Sequence, residues 1–284
     1  MLAAIAGATD QIHLSSAVTV LSSADPVRTF QNFATLDLLS GGRAELMAGR
    51  GSFTESFPLF GCSLGDYDAL FAEKLELLLA LREDGPVTWS GRFRAPLDEV
   101  VVHPRPEGRP LPIWVAVGGT PSSVVRAGTL GLPMALAIIG GQPSAFAPFA
   151  DLYRRALDHG GHPATTPLAV HAHGYVASDE RAARAAFLPG YKATFDKLGR
   201  ERGWAPMSAA QVEGLIAPDG ALFFGHPERV ADKIVTLHDS LGIDRFELHV
   251  SHVDHARTMR SIELFATEVA PLVRERLAAV PTPV

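Results

Sequence analysis

The chain has 284 residues, of which 47% are hydrophobic and 20% charged, and this composition is typical of a globular protein. Its formal net charge of −6 argues against a basic nucleic-acid-binding surface, and no apolar run is long enough to span a membrane. We therefore expect a small molecule as the partner. The single cysteine, Cys62, cannot form an intrachain disulfide, and no signal sequence is recognisable, so we expect a cytoplasmic protein.

Apolar periodicity predicts strands and helices that alternate along most of the chain. In chain order, the predicted elements are an apolar helix near 2–6, a strand at 12–20, a helix at 26–39, a strand at 44–48, a helix at 67–82, strand-like spacing at 87–94, a strand at 113–117, a helix ending near 128, a strand at 134–139, a helix at 145–159, a strand at 168–176, a helix at 179–203, a helix from 226, a strand at 246–250 and a helix at 255–277. Six core strands with these spacings fit βαβ units around a parallel sheet. An open doubly wound sheet and a (β/α)8 barrel both satisfy this pattern.

Binding groups in parallel α/β folds lie just after the strands, and Gly49-Arg50-Gly51 occupies such a position. The glycines would let a planar ligand approach the backbone, and the Arg50 guanidinium could donate to a phosphate. The alternative is a glycine turn that carries a surface arginine. Spacing alone does not separate these interpretations.

A second post-strand segment, Val117 to Ser123, has glycines followed by hydroxyl residues at the start of a helix. Unpaired amides and the positive end of the helix dipole favour an anion there, with the Thr120 and Ser123 hydroxyls as added donors. The alternative is that Thr120 only caps the helix. Both interpretations can hold at once.

Five histidines fall on or near two predicted strands, namely His171, His173, His249, His252 and His255. Such a group could bind a divalent metal and activate water, as in a metal-dependent hydrolase. His171 and His173 would share one strand face, but no carboxylate partner is evident in the sequence. We therefore expect no metal site.

Several motifs resemble the luciferase-like monooxygenase family. They are Ser15 to Val18, Asp25 to Arg28, Ala34 to Glu45, Met47 to Phe53, Pro112 to Gly119 and Gly225 to Glu228. The resemblance implies a single (β/α)8 TIM-barrel domain over 1–284, with an insertion near 84–112. Family members have two further βα units before the strand at 12–20, so the resemblance also implies an N-terminally incomplete barrel.

The resemblance further implies bound FMN, with the deazaflavin F420 the less expected cofactor. Arg50 would contact the flavin phosphate, and the Gly119 amide, Thr120 and Ser123 would complete its binding site. The flavin ring would rest on Ala17, Val18 and Gly49. The family also commonly has a non-prolyl cis peptide at this strand end, which we expect at Ala17-Val18 or one bond earlier.

On this basis we expect a flavin-dependent monooxygenase or related oxidoreductase that uses reduced FMN and O2 on a small organic substrate. The sequence identifies no catalytic acid or base. A separate flavin reductase and a homodimer are implied by the resemblance. Two alternatives stay open: a non-catalytic or truncated flavin-binding homologue, and a metal-dependent TIM-barrel hydrolase.

Overall fold

The chain forms two compact units, 1–116 and 117–284, in a computed structural model that describes residues 1–51 and 53–279. Ser52, which belongs to the motif from Met47 to Phe53, lies outside the described residues. Among those described, no helix combines the length and apolar character needed to cross a bilayer. The single domain over 1–284 stays a prediction.

The first unit alternates helices with short parallel strands and also contains an antiparallel pair. Its elements are α1 (Leu2–Ala8), β1 (Leu14–Ser15), β2 (Thr19–Val20), α2 (Pro26–Ser40), β3 (Ala44–Gly49), α3 (Ser56–Leu59), α4 (Tyr67–Arg82), β4 (Val87–Trp89), β5 (Leu97–Val100) and β6 (Ile113–Val117).

The fully buried strand β3 is the centre of the first unit's sheet, and it pairs in parallel with β1, β2 and β6. The strand predicted over 12–20 is divided into β1 and β2, because the residues from Ser16 to Val18 are not paired with β3. The Ala17-Val18 peptide bond is cis, as expected from the family resemblance. The strand predicted from the spacing at 87–94 is only partly correct, since β4 ends at Trp89 and pairs antiparallel with β5.

Helices α2 and α4 pack against each other beside this sheet. The Asp25 carboxylate accepts a hydrogen bond from the Arg28 amide, and Pro26 occupies the first turn, so α2 begins as predicted. Gly41 ends the helix in the left-handed conformation (φ 66°), which glycine adopts without steric penalty.

The second unit also alternates strands and helices. Its elements are α5 (Pro121–Thr129), β7 (Met134–Ile138), α6 (Ala147–His159), β8 (Leu168–Val176), α7 (Glu180–Arg202), α8 (Ala209–Ile216), β9 (Phe223–Gly225), α9 (Pro227–Leu241), β10 (Arg245–His249), α10 (His255–Leu264) and α11 (Ala270–Ala279). The predicted final helix is observed as α10 and α11, which are joined by a π-helical turn.

Strand β8 is the centre of the second unit's sheet and pairs in parallel with β7, β9 and β10. Neither β9 nor α8 was predicted. The register places Ile138, the last residue of β7, opposite Ala172, and His249, the last residue of β10, opposite His173. The last part of β8 therefore lies at the carboxyl ends of its neighbours, where ligands bind in parallel α/β folds.

Candidate functional site

In the first unit, the cis peptide segment lies directly against the end of β3. Val20 is in register with Gly49, and a Cβ added to Gly49 would lie 2.7 Å from the Val18 Cγ2 atom. Gly49 is therefore the residue that allows Val18 to approach the strand so closely. The structure thus brings together Ala17, Val18 and Gly49, which the sequence predicts under the flavin ring.

Arg50 follows β3 and is held by the start of α4. Its guanidinium forms an ion pair with Asp68 and lies over the Tyr67 ring, 5.1 Å from the centroid. The Tyr67 hydroxyl donates to the Gly51 carbonyl at 2.7 Å, which fixes the ring under the arginine. The Arg50 side chain is 17% exposed, whereas that of Asp68 is 74% exposed.

In the second unit, the start of α5 contains an unsatisfied polar group. Gly119 adopts a positive φ of 96°, and Thr120 occupies the N-cap position without a side-chain capping hydrogen bond. Ser123 is 3% exposed, and its Oγ atom forms no hydrogen bond with any described residue. Buried hydroxyls are normally paired, so this one is suited to a ligand oxygen. The interpretation that Thr120 only caps the helix is not supported.

Histidines from β8 and from the end of β10 form a cluster in the second unit. His171 and His173 alternate along β8 and share a face, and the parallel register places His249 beside His173. Ring centroids are 4.8 Å apart for His173 and His249 and 5.5 Å apart for His171 and His249. His252 also lies near His173, with a centroid distance of 6.1 Å.

The cluster favours neutral imidazoles. Burial, followed by the charges of His249, His171 and His252, lowers the pKa of His173 to about 4. Desolvation by the surrounding protein also lowers the pKa of His252 and of His249, although the His249 side chain is still open to solvent. At neutral pH these three rings therefore have lone pairs available to bind a proton or a metal ion.

One sequence-based expectation about this cluster is wrong. The register pairs His171 with Glu247, and the Glu247 Oε2 atom lies 3.5 Å from the His171 Nδ1 atom. A carboxylate partner is therefore present, although it belongs to a different strand. His255, the first residue of α10, is exposed and lies outside the group of histidines with ligand atoms close together.

The second unit also contains a cavity of about 710 Å³. Its lining is largely apolar and comes from the segment after β7, from α7 and α8, and from the connection between those helices, including Ile139, Tyr191, Phe195, Trp204, Met207 and Leu215. Tyr191 and Phe195 also contact the His173 ring, with centroid distances of 6.0 and 5.9 Å. Tyr191 and Phe195 are one helical turn apart, a spacing that the sequence shows but that equally suits core packing.

Comparison with known proteins agrees with this architecture. The family model described as luciferase-like monooxygenase matches residues 1–245. The uncharacterized protein y4wF of Sinorhizobium fredii is 35% identical over 135 residues, which is 47% of this chain and 39% of that protein. The chain thus matches well under two thirds of the length of this curated relative.

Three solved structures share the fold over nearly all of this chain. Monooxygenase RslO1 from Streptomyces bottropensis is 25% identical, with a TM-score of 0.81, over 95% of this chain and 81% of its own. The oxygenating constituent of 3,6-diketocamphane monooxygenase from Pseudomonas putida, in complex with FMN, is 21% identical, with a TM-score of 0.74, over 96% and 82% of the two chains. An F420-dependent secondary alcohol dehydrogenase is 19% identical, also with a TM-score of 0.74, over 95% and 82%.

The last two similarities concern the fold alone, and the FMN and F420 belong to those proteins. The predicted fold class, the α/β barrel type of the luciferase-like enzymes, is confirmed. With the family model matching residues 1–245 and the fold shared at a TM-score of 0.81, the chain belongs to the luciferase-like monooxygenase family.

Proposed function

We propose that the protein is a flavin-dependent oxidoreductase of the monooxygenase type, which uses reduced FMN and O2 to oxidise a small organic substrate. The observation that carries the proposal is the buried Ser123 hydroxyl at the start of α5, which has no hydrogen-bond partner among the described residues. It follows Gly119 and Thr120, and a helix start of this kind offers amides and hydroxyls to a phosphate. Family membership supports the choice of a flavin over other phosphate-bearing ligands.

The residues that the family resemblance implies have chemically different proposed roles. Ala17, Val18 and Gly49 would support the flavin ring. The Arg50 guanidinium would donate to the flavin phosphate, as would the Gly119 amide, Thr120 and Ser123. A bound reduced flavin supplies the electrons that activate O2.

The cavity of the second unit is the proposed place for the substrate. Its walls include Tyr191, Phe195, Trp204 and Met207, whose apolar surfaces would bind the hydrocarbon part of a substrate and exclude water. Reduced flavin would come from a separate reductase, and a homodimer is the proposed assembly. Binding of flavin without turnover in the presence of a reductase would instead support the non-catalytic alternative.

Replacement of Arg50 by alanine is expected to weaken FMN binding by about 10- to 100-fold and to change riboflavin binding little, because only FMN has a phosphate for the guanidinium. Flavin fluorescence quenching would give both dissociation constants. Arg92→Ala is the matched control, since Arg92 also pairs with an aspartate near α4 but its side chain is 70% exposed. Equal losses of FMN and riboflavin affinity in Arg50→Ala would contradict the phosphate assignment.

Ser123→Ala tests the second unit separately. We expect FMN affinity to fall by about 3- to 10-fold, because one donor to the phosphate is lost, with riboflavin affinity unchanged. Stability should stay the same or rise slightly, since the buried Oγ atom forms no hydrogen bond with the described residues. Chemical unfolding and FMN titration of the same preparation measure both effects. A destabilised variant with wild-type FMN affinity would show that the hydroxyl has a structural role instead.

A further inference from the structure

We propose that His171, His173 and His249 bind a divalent transition-metal ion, with Zn²⁺ the best-suited candidate. One ligand atom from each of these residues can be chosen so that all three lie within 4.8 Å of one another. This proposal reverses the expectation of no metal site, and it does not depend on the flavin proposal. It would hold even if the protein bound no flavin.

The cluster is a product of strand geometry rather than of chance proximity on a surface. Alternation along β8 directs His171 and His173 to one face, and the parallel register with β10 places His249 on that same face. The backbones that carry the three imidazoles belong to two hydrogen-bonded strands and are therefore fixed relative to each other. Ligands on rigid strands favour a defined coordination geometry.

Metal binding would require only small movements of the histidine side chains. Zinc–nitrogen bonds of about 2.0–2.1 Å in a tetrahedral site place the nitrogens about 3.4 Å apart. His249, at the end of β10, is exposed and can rotate toward the other two rings. The His173 ring packs against the adjacent rings of Tyr191 and Phe195, with centroid distances of 6.0 and 5.9 Å, and these contacts limit its movement.

Two observations indicate that the cluster is prepared for a ligand. The His173 Nδ1 atom is buried and forms no hydrogen bond with any described residue, and an ion would supply the missing partner. Glu247 lies 3.5 Å from the Nδ1 atom of His171. Donation from Nδ1–H to this carboxylate would orient the ring in the metal-bound state and leave Nε2 for the metal, as in carboxylate–histidine–zinc arrangements.

Three protein ligands leave one tetrahedral position for water or for an oxygen of a bound molecule. Tyr191 and Phe195 line the cavity and also contact His173, so this position lies beside the cavity. The ligand class suited to the open position is a substrate with a carbonyl, carboxylate or hydroxyl oxygen next to an apolar group. The ion would fix that oxygen while the aromatic walls contact the apolar part.

The test is a titration of the full chain, freed of metal by a chelator, with Zn²⁺ by calorimetry and with Co²⁺ by visible absorption. We expect one ion per chain, and Co²⁺ bands typical of four or five ligands. His173→Gln and His249→Ala should each weaken Zn²⁺ binding by about 100-fold or more, and Glu247→Gln by about 10-fold. His255→Ala is the matched control, since this nearby histidine is exposed and outside the cluster, and it should bind as the wild type does.

His249→Ala keeps the test decisive if His173→Gln does not fold, because His249 is exposed. Two results would overturn the proposal. One is that the wild type binds zinc as weakly as His249→Ala does, and the other is that His255→Ala weakens zinc binding as much as His249→Ala does. FMN titration of the same metal-free protein separates the two proposals. Zinc binding without FMN binding would refute the flavin function and leave the metal site intact.

Discussion

Gly174→Ala should lower the free energy of unfolding by about 3 kcal/mol, because β8 has no room for the added methyl group. A Cβ at this position of β8 would lie 2.0 Å from the Phe223 carbonyl oxygen and 2.5 Å from the Leu248 Cδ1 atom. Gly174 is in register with Phe223, so the clash cannot be relieved without separating β8 from β9. Urea unfolding followed by circular dichroism measures the change.

The control for this prediction is Gly214→Ala in helix α8 of the same unit, where a Cβ would meet no atom within 4 Å. That substitution should stabilise the protein by about 0.5–1 kcal/mol, because alanine favours helix more than glycine does. If both variants unfolded at the same urea concentration as the wild type, the close contact between β8 and β9 would be wrong.

Gly49→Ala is expected to weaken the binding of FMN and of riboflavin alike, by about 10-fold or more. The added Cβ would lie 2.7 Å from Val18, a β-branched residue with little freedom to turn away, so Val18 must shift. A displacement worth 1–3 kcal/mol of packing corresponds to about 5- to 150-fold in affinity if the flavin ring rests on this residue. Parallel titrations with both flavins give the comparison.

Gly49→Ala should lower the affinity for both flavins, whereas Arg50→Ala should lower the affinity for FMN alone. Gly7→Ala in helix α1 is the control, since a Cβ there meets nothing within 4 Å. Wild-type flavin affinity in a folded Gly49→Ala protein would contradict the proposed support for the ring.

Strong local signals explain which elements the sequence predicts. The bounds of α4 (67–82) and β8 (168–176) agree with the structure because a wide leucine stripe marks the helix and apolar residues on both sides of His171 and His173 mark the strand. Strand β9 was missed because three residues carry no periodicity, and it forms only through its pairing with Gly174 to Val176. The strand at 12–20 was predicted as continuous because nothing local indicates the interruption at Ser16 to Val18.

In the candidate site, too, some features could be predicted from the sequence and others could not. The glycines and hydroxyls after the strands could be identified because position along the chain predicts position at a strand end. Glu247 could not be paired with His171 in advance, since a one-residue change in register would have moved it to the opposite face. The ion pair between Arg50 and Asp68 likewise depends on where α4 begins in space.

The contacts of Arg50 with Tyr67 and Asp68 also affect how tightly an anion could bind. A free arginine loses up to about 2 kcal/mol of rotamer entropy when it is fixed on a ligand. Here the side chain already lies against an aromatic ring, so most of that loss occurs when the chain folds. An arriving phosphate would displace Asp68 from the Arg50 guanidinium, or share the guanidinium with it. The arginine would not have to become ordered on binding, so the binding site would be preorganised.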